Sequence, residues 1–105
     1  VVMALINGQN LNRCRLVAPK EMLEQILDCT RRAYKVGIIH ADLSEYNILI
    51  EDEKAVIIDW PQWIGTDHPN AETIVERDID NILAFFSRKY RLDYPRKDAV
   101  SGVVG

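Results

Sequence analysis

His40-Ala41-Asp42-Leu43-Ser44-Glu45-Tyr46-Asn47 is followed by the apolar Ile48-Leu49-Ile50, the charged Glu51-Asp52-Glu53-Lys54, a second apolar run Ala55-Val56-Ile57-Ile58, and then Asp59-Trp60-Pro61. Two short apolar runs joined by four charged residues read as a small antiparallel hairpin. A hairpin returns the chain on itself, so Asp59 is expected near the loop that holds Asp42 and Asn47. One carboxylate, an amide five residues on and a second carboxylate after the next strand gather hard oxygen donors, the kind magnesium selects beside a phosphate. Phosphoryl transfer asks a protein mainly for positioning and charge neutralisation. Asn47 and Asp59 are therefore the expected magnesium ligands. Asp42 is left to orient, or take a proton from, an attacking hydroxyl or water.

Upstream, residues 19–36 carry Leu23, Ile26, Leu27, Thr30, Ala33 and Tyr34 at steps of three and four, the stripe of one helix face. Pro19 suits the first helical position and Gly37 the left-handed residue beyond the last turn. The helix therefore ends just before His40 and sets where the loop begins. Further upstream, residues 1–6 are continuously apolar and close on Asn7-Gly8, as a buried strand entering a turn or hinge would. Residues 9–18 read as polar and irregular. Downstream, residues 60–69 hold two prolines, a glycine and two tryptophans, and read as a loop. A second helix is expected from near Pro69 to about Tyr90, with Ile74, Ile79, Ile82, Leu83 and Phe86 on its apolar face. Asp78 lies beside that stripe, where a carboxylate needs donors because an unpaired buried charge is too costly. Residues 97–104 read as the start of another helix after the break at Tyr94-Pro95.

At 105 residues the chain is one domain at most, and 48% hydrophobic with 28% charged residues is ordinary for a globular protein. A net charge of −3 argues against a protein that coats nucleic acid. A local basic run, Arg88, Lys89, Arg91, Arg96 and Lys97, could still touch RNA phosphates, although arginines at a helix end also suit its dipole. Neither a membrane-length apolar run nor a leader pattern occurs, so the expected setting is the cytoplasm, with no membrane partner. Cys14 and Cys29 lack metal-site or disulfide-framework spacing and read as reduced, packed thiols. The chain opens in mid-pattern without an initiator methionine and is expected to be a piece of a longer protein.

His40-x-Asp42-x-x-x-x-Asn47, the apolar strand, the turn and Ile58-Asp59 together resemble the catalytic and metal-binding loops of the protein-kinase-like superfamily. Within it, that stretch with Trp60-Pro61-Gln62, His68-Pro69-Asn70-Ala71 and Arg77-Asp78 is similar to the RIO family of atypical kinases. The first stretch is closer to the first RIO subfamily and the later ones to the second, which is favoured. The resemblance implies an α+β protein-kinase-like fold in which residues 1–105 form a single domain, the hinge plus a mainly helical C-terminal lobe. A small β-hairpin would carry the catalytic and metal-binding loops, and the N-terminal lobe, absent here, would act in cis. It further implies ATP with Mg2+ or Mn2+, Asp42 as the catalytic aspartate, Asn47 and Asp59 as metal ligands, and Asp59 as a candidate transient phosphoacceptor. His40 would fix the loop through backbone hydrogen bonds and Asp78 would brace it from the second helix. Met3 would stand at the gatekeeper position, with the backbones of Ala4 and Ile6 meeting the purine edge. The implied partner is the precursor of the small ribosomal subunit, whose RNA the basic run could contact.

Departures from ordinary kinases matter as much. Ser44 stands where serine/threonine kinases carry a phosphate-facing lysine, and Trp60-Pro61 replaces Phe-Gly, with proline fixing one torsion. Only eleven residues separate Asp59 from Ala71, too few for a long activation segment and its peptide platform. That favours a docked macromolecular substrate, self-phosphorylation or an ATPase cycle. No glycine-rich phosphate loop or strand lysine occurs in these residues, so this stretch alone is expected to bind ATP poorly and to lack turnover. Two rivals stand beside this reading. A small-molecule kinase of the aminoglycoside-phosphotransferase type shares His-x-Asp, the asparagine and Ile-Asp-Trp, but generally has a longer helical insert before the catalytic loop. A non-catalytic RNA- or ribosome-binding module would rest on the basic run.

Overall fold

Pro19, with no N–H to lose, opens helix α1 (Pro19–Lys35), and the expected stripe buries Met22, Leu23, Ile26, Leu27 and Thr30. The Thr30 hydroxyl donates to the Ile26 carbonyl at 2.9 Å, so the stripe's one polar side chain carries no unmet donor. Gly37 (φ +93°) turns the chain out of the helix in a conformation that costs an L side chain energy. Cys29 is a free, half-buried thiol that burial, aided by Asp28, pushes above its ordinary value; Cys14 lies outside the described residues. The computed structural model describes residues 9–11, 13, 16, 18–51, 54–58 and 63–104.

The hairpin has the expected form. Strand β3 (Ile48–Glu51) pairs antiparallel with β4 (Lys54–Ile57), in a register running from Ile48 opposite Ile57 to Glu51 opposite Lys54. Two corrections concern stretches read as irregular. Gln9–Asn10 forms β1, which pairs with the other edge of β3 (Gln9 opposite Ile50), making the sheet three-stranded in the order β1-β3-β4. Ile38–Ile39 (β2) pairs with Ile64–Gly65 (β5) inside the presumed downstream loop. Two-residue pairings are made by backbone groups and leave no alternation of side chains to read. The Thr66 N–H donating to the Gly37 carbonyl at 3.1 Å extends the second pairing to the end of α1.

Helix α2 (Ala71–Tyr90) buries Ala71, Val75, Asp78, Ile79, Ile82, Phe85 and Phe86. This is a wider face than the expected stripe, because α2 packs against α1, β2 and helix α3 (Arg96–Val104). Val75 and Phe85 belong to that additional surface, and the Phe85 and Phe86 rings meet edge to face at 5.3 Å. The helix stops at Arg91, left-handed at φ +52°, whose N–H bonds back to the Phe86 carbonyl. Ile39, Leu43 and Ile48 are fully buried in this core and bracket the loop that carries Asp42.

Candidate active site

The loop from His40 to the 3-10 turn Glu45–Asn47 has almost no regular backbone pairing, so its peptide groups depend on side chains. All six N–H and C=O groups of residues 41–43 are met in this way. Asp78 accepts from the Ala41 N–H at 2.8 Å and from the Leu43 N–H at 3.2 Å, one with each carboxylate oxygen. Arg77 donates to the Ala41 carbonyl at 2.9 Å and Asn81 to the Leu43 carbonyl at 3.3 Å. His40 Nδ1 accepts from the Asp42 N–H at 3.2 Å, and the Asn47 amide donates to the Asp42 carbonyl at 2.5 Å. Arg77, Asp78 and Asn81 all come from one side of α2, since residues four apart in a helix share a face. Ser44 opens the 3-10 turn by accepting the Tyr46 N–H, and Arg88 holds Glu45 at 3.3 Å.

This scaffold leaves the Asp42 side chain exposed, and among the described residues its carboxylate has no hydrogen-bond or ion-pair partner. A carboxylate on a fully bonded backbone, open to solvent, is suited to orient a hydroxyl or accept its proton. Ala41, immediately before it, is left-handed at φ +73°, a conformation that an alanine holds only where its surroundings fix it. Asn47 is buried, and with its amide nitrogen committed to the Asp42 carbonyl, its oxygen is the end left to serve as a ligand.

His40 joins the two halves of the site. The Asp42 N–H can only donate, so Nδ1 accepts, and the hydrogen on Nε2 then serves the Ile58 carbonyl at 2.8 Å. The Ile58 N–H donates to the Asn47 carbonyl, also at 2.8 Å. Both peptide groups of Ile58 are thus tied to the loop that carries Asp42, one residue before Asp59. Asp59 itself lies outside the described residues, as do Met3, Ala4 and Ile6. Burial pushes the Asp78 carboxyl above the ordinary carboxylate range, while its bonds to the Ala41 and Leu43 N–H groups and the nearby Arg77 guanidinium pull it back. The Asp42 carboxylate and the Asn47 oxygen are donors suited to a hard divalent cation, and no group of three or more His, Cys, Asp or Glu that could hold a metal ion occurs among the described residues, here or elsewhere.

Sequence reasoning did not assign roles to Arg77 or Asn81. Arg77 entered only within the Arg77-Asp78 motif, and no local pattern sets Asn81 apart from the other polar residues of α2 such as Thr73 and Asp80. The basic run is largely engaged within the chain: Arg88 holds Glu45, Arg96 holds Asp80 and Glu76, and Lys89 lies over the Phe85 and Tyr90 rings.

A family model described as the RIO domain matches residues 1–99. The RIO-type serine/threonine-protein kinase Rio2 of Methanocaldococcus jannaschii is 38% identical over 100 residues, covering 89% of this chain and 37% of that protein. The Rio1 kinase of the same organism is 42% identical over 81 residues, covering 76% of this chain and 28% of that protein. Among solved structures, the Rio2 kinase-ADP/Mg2+-phosphoaspartate complex from Chaetomium thermophilum superposes with a TM-score of 0.79 at 31% identity, covering 95% of this chain and 34% of that one. The chain thus spans about a third of the length of these relatives.

Proposed function

The chain belongs to the RIO domain family, and we propose on that premise that the protein carrying it is an ATP-dependent serine/threonine kinase or autophosphorylating ATPase. The observation that carries the proposal is the tie at Ile58: His40 and Asn47 hold both of its peptide groups, so the second strand of the hairpin ends against the loop that carries Asp42. Asp42 aligns the attacking hydroxyl through its exposed carboxylate. The Asn47 oxygen and Asp59 hold magnesium, which when bound neutralises charge on the phosphate oxygens of ATP. His40 and Asp78 keep the loop in register, and the residues around Met3, Ala4 and Ile6 receive the adenine.

In a second reading, Asp59 is itself the acceptor. Its carboxylate oxygen bonds to the γ-phosphorus, the bond to ADP breaks, and water later hydrolyses the acyl phosphate. A relative's structure described as holding ADP, Mg2+ and phosphoaspartate favours it, and the short segment between Asp59 and Ala71 suits a cycle without a bound peptide. The Trp60-Pro61-Gln62 and His68-Pro69-Asn70-Ala71 motifs favour the second RIO subfamily. We take the partner to be the maturing small ribosomal subunit, reached in the cytoplasm, on the family resemblance.

The test uses the full-length protein with radiolabelled ATP and Mg2+. Wild type should transfer label and Asp42→Asn should not. An acid-stable, hydroxylamine-sensitive phosphoenzyme that disappears in Asp59→Asn supports the second reading, whereas label confined to serine or threonine removes it. Cosedimentation with small-subunit precursors checks the partner. Turnover that is unchanged in Asp42→Asn would overturn the assignment.

A further inference from the structure

Resting on the proposed phosphotransfer, we infer that Arg77 is a positioning residue that aims Asp42 by holding the Ala41 carbonyl. Ala41 is left-handed at φ +73° with a side chain that disfavours this region, and its torsions set the direction in which the next residue leaves the loop. Asp78 holds the N–H of this residue and Arg77 its carbonyl, so the two sides of one strained residue are gripped by consecutive positions of α2. The grips differ in kind. Asp78 is fully buried and serves two N–H groups, so its loss damages the fold. Arg77 is exposed, its one bond to the loop is the one to the Ala41 carbonyl, and it stands clear of the core cluster. Removing it therefore leaves the Ala41–Asp42 peptide held only by the 3.2 Å bond from the Asp42 N–H to His40 Nδ1, and so easier to rotate, without emptying a core position. Asn81, one turn on, holds the Leu43 carbonyl on the far side of Asp42 and limits the motion to that peptide.

The experiment compares full-length wild type, Arg77→Ala, Arg77→Lys and Asp42→Asn by thermal melting, by amide hydrogen exchange of the segment 40–47, and by kcat and KM for ATP. Arg77→Ala should melt like wild type, exchange faster in residues 41–43 alone, and lose roughly tenfold in kcat with KM for ATP within about twofold. Arg77→Lys, which can still donate to one carbonyl, should recover most of kcat. If Arg77→Ala keeps wild-type exchange in the loop, or keeps kcat within about twofold, the inference is overturned. It is equally overturned if exchange rises throughout α2 with a lower melting temperature, the mark of a merely structural residue. Failure of the underlying function is read separately, as turnover that survives Asp42→Asn.

Discussion

The loop around Asp42 and the exposed surface of α1, α2 and α3 are both rich in charge, yet charge does different work in each. At the loop, a fully buried carboxylate and its neighbours on α2 replace the backbone pairing that an irregular segment lacks. On the exposed surface, Asp28 pairs with Arg31 and Arg32, and Arg96 pairs with Asp80 and Glu76, all with substantially exposed side chains. Coulomb attraction is screened there and replaced readily by water. The shortest ion pair among the described residues, Arg96 to Asp80 at 2.6 Å, is therefore expected to matter far less than the longer Asp78 bonds. Burial, not distance, ranks them.

The sharpest way to test the division is to remove a charge that the loop presents but does not use structurally. Asp42→Asn in the full-length protein should lower kcat by about a hundred- to ten-thousandfold, while stability changes by no more than about 0.5 kcal/mol. Steady-state kinetics beside a urea unfolding curve check both halves. A large stability loss would mean that the carboxylate, exposed and unpartnered among the described residues, is bonded when the whole protein is assembled.

Asp78 should behave in the opposite way. Asp78→Ala leaves the Ala41 and Leu43 N–H groups buried without acceptors, and should cost about 3 kcal/mol of unfolding free energy. Asp78→Asn should cost roughly half as much, because a single amide oxygen serves one of the two N–H groups. The pH dependence has a definite sign. Burial raises the folded-state pKa of Asp78 above its unfolded value, so the folded protein binds this proton more tightly. The stability that this group contributes is complete below the unfolded carboxylate value and declines as pH rises through the folded one. The advantage of wild type over Asp78→Asn should therefore narrow across that window in urea titrations. A gap that widens with pH would show the bonded, charged carboxylate to be the preferred buried form.

How legible this was follows from the physics of each element. The helices announced themselves through stripes, Pro19 and Gly37, because packing on one face forces a periodicity that survives in composition. The hairpin was legible because its strands are apolar and its turn is fully charged. β1, β2 and β5 were not, since two-residue pairings use backbone groups common to every residue. Asp78 could be singled out as a carboxylate beside an apolar stripe that must find donors. Which donors it found depends on where the loop crosses α2, a tertiary relation with no local pattern. Which carbonyls Arg77 and Asn81 reach was hidden for the same reason, and nothing local indicates that Arg88 reaches back to Glu45, 43 residues away.

A smaller effect is expected where the loop's constraint meets a single residue's intrinsic preference. Ala41→Gly removes the side chain that disfavours the left-handed conformation, and should stabilise by up to about 1 kcal/mol. Ala41→Val should destabilise, because a β-branched residue tolerates that region still less. Paired urea curves read both, and a destabilising glycine would mean that the grips on Ala41, not its own torsion preference, set the loop's energy.

The smallest effect should come from the charged face, as the control for everything above. Arg96 is held by two carboxylates, which push its pKa above the ordinary arginine value, yet it remains in solvent. Arg96→Ala should leave the melting temperature within experimental scatter of wild type, and any difference at low salt should shrink as salt is added. If the variant instead unfolds as readily as Asp78→Ala at every ionic strength, then the Arg96 cluster anchors α3 to α2 as a structural joint. Exposure would then have been the wrong criterion for separating the two faces.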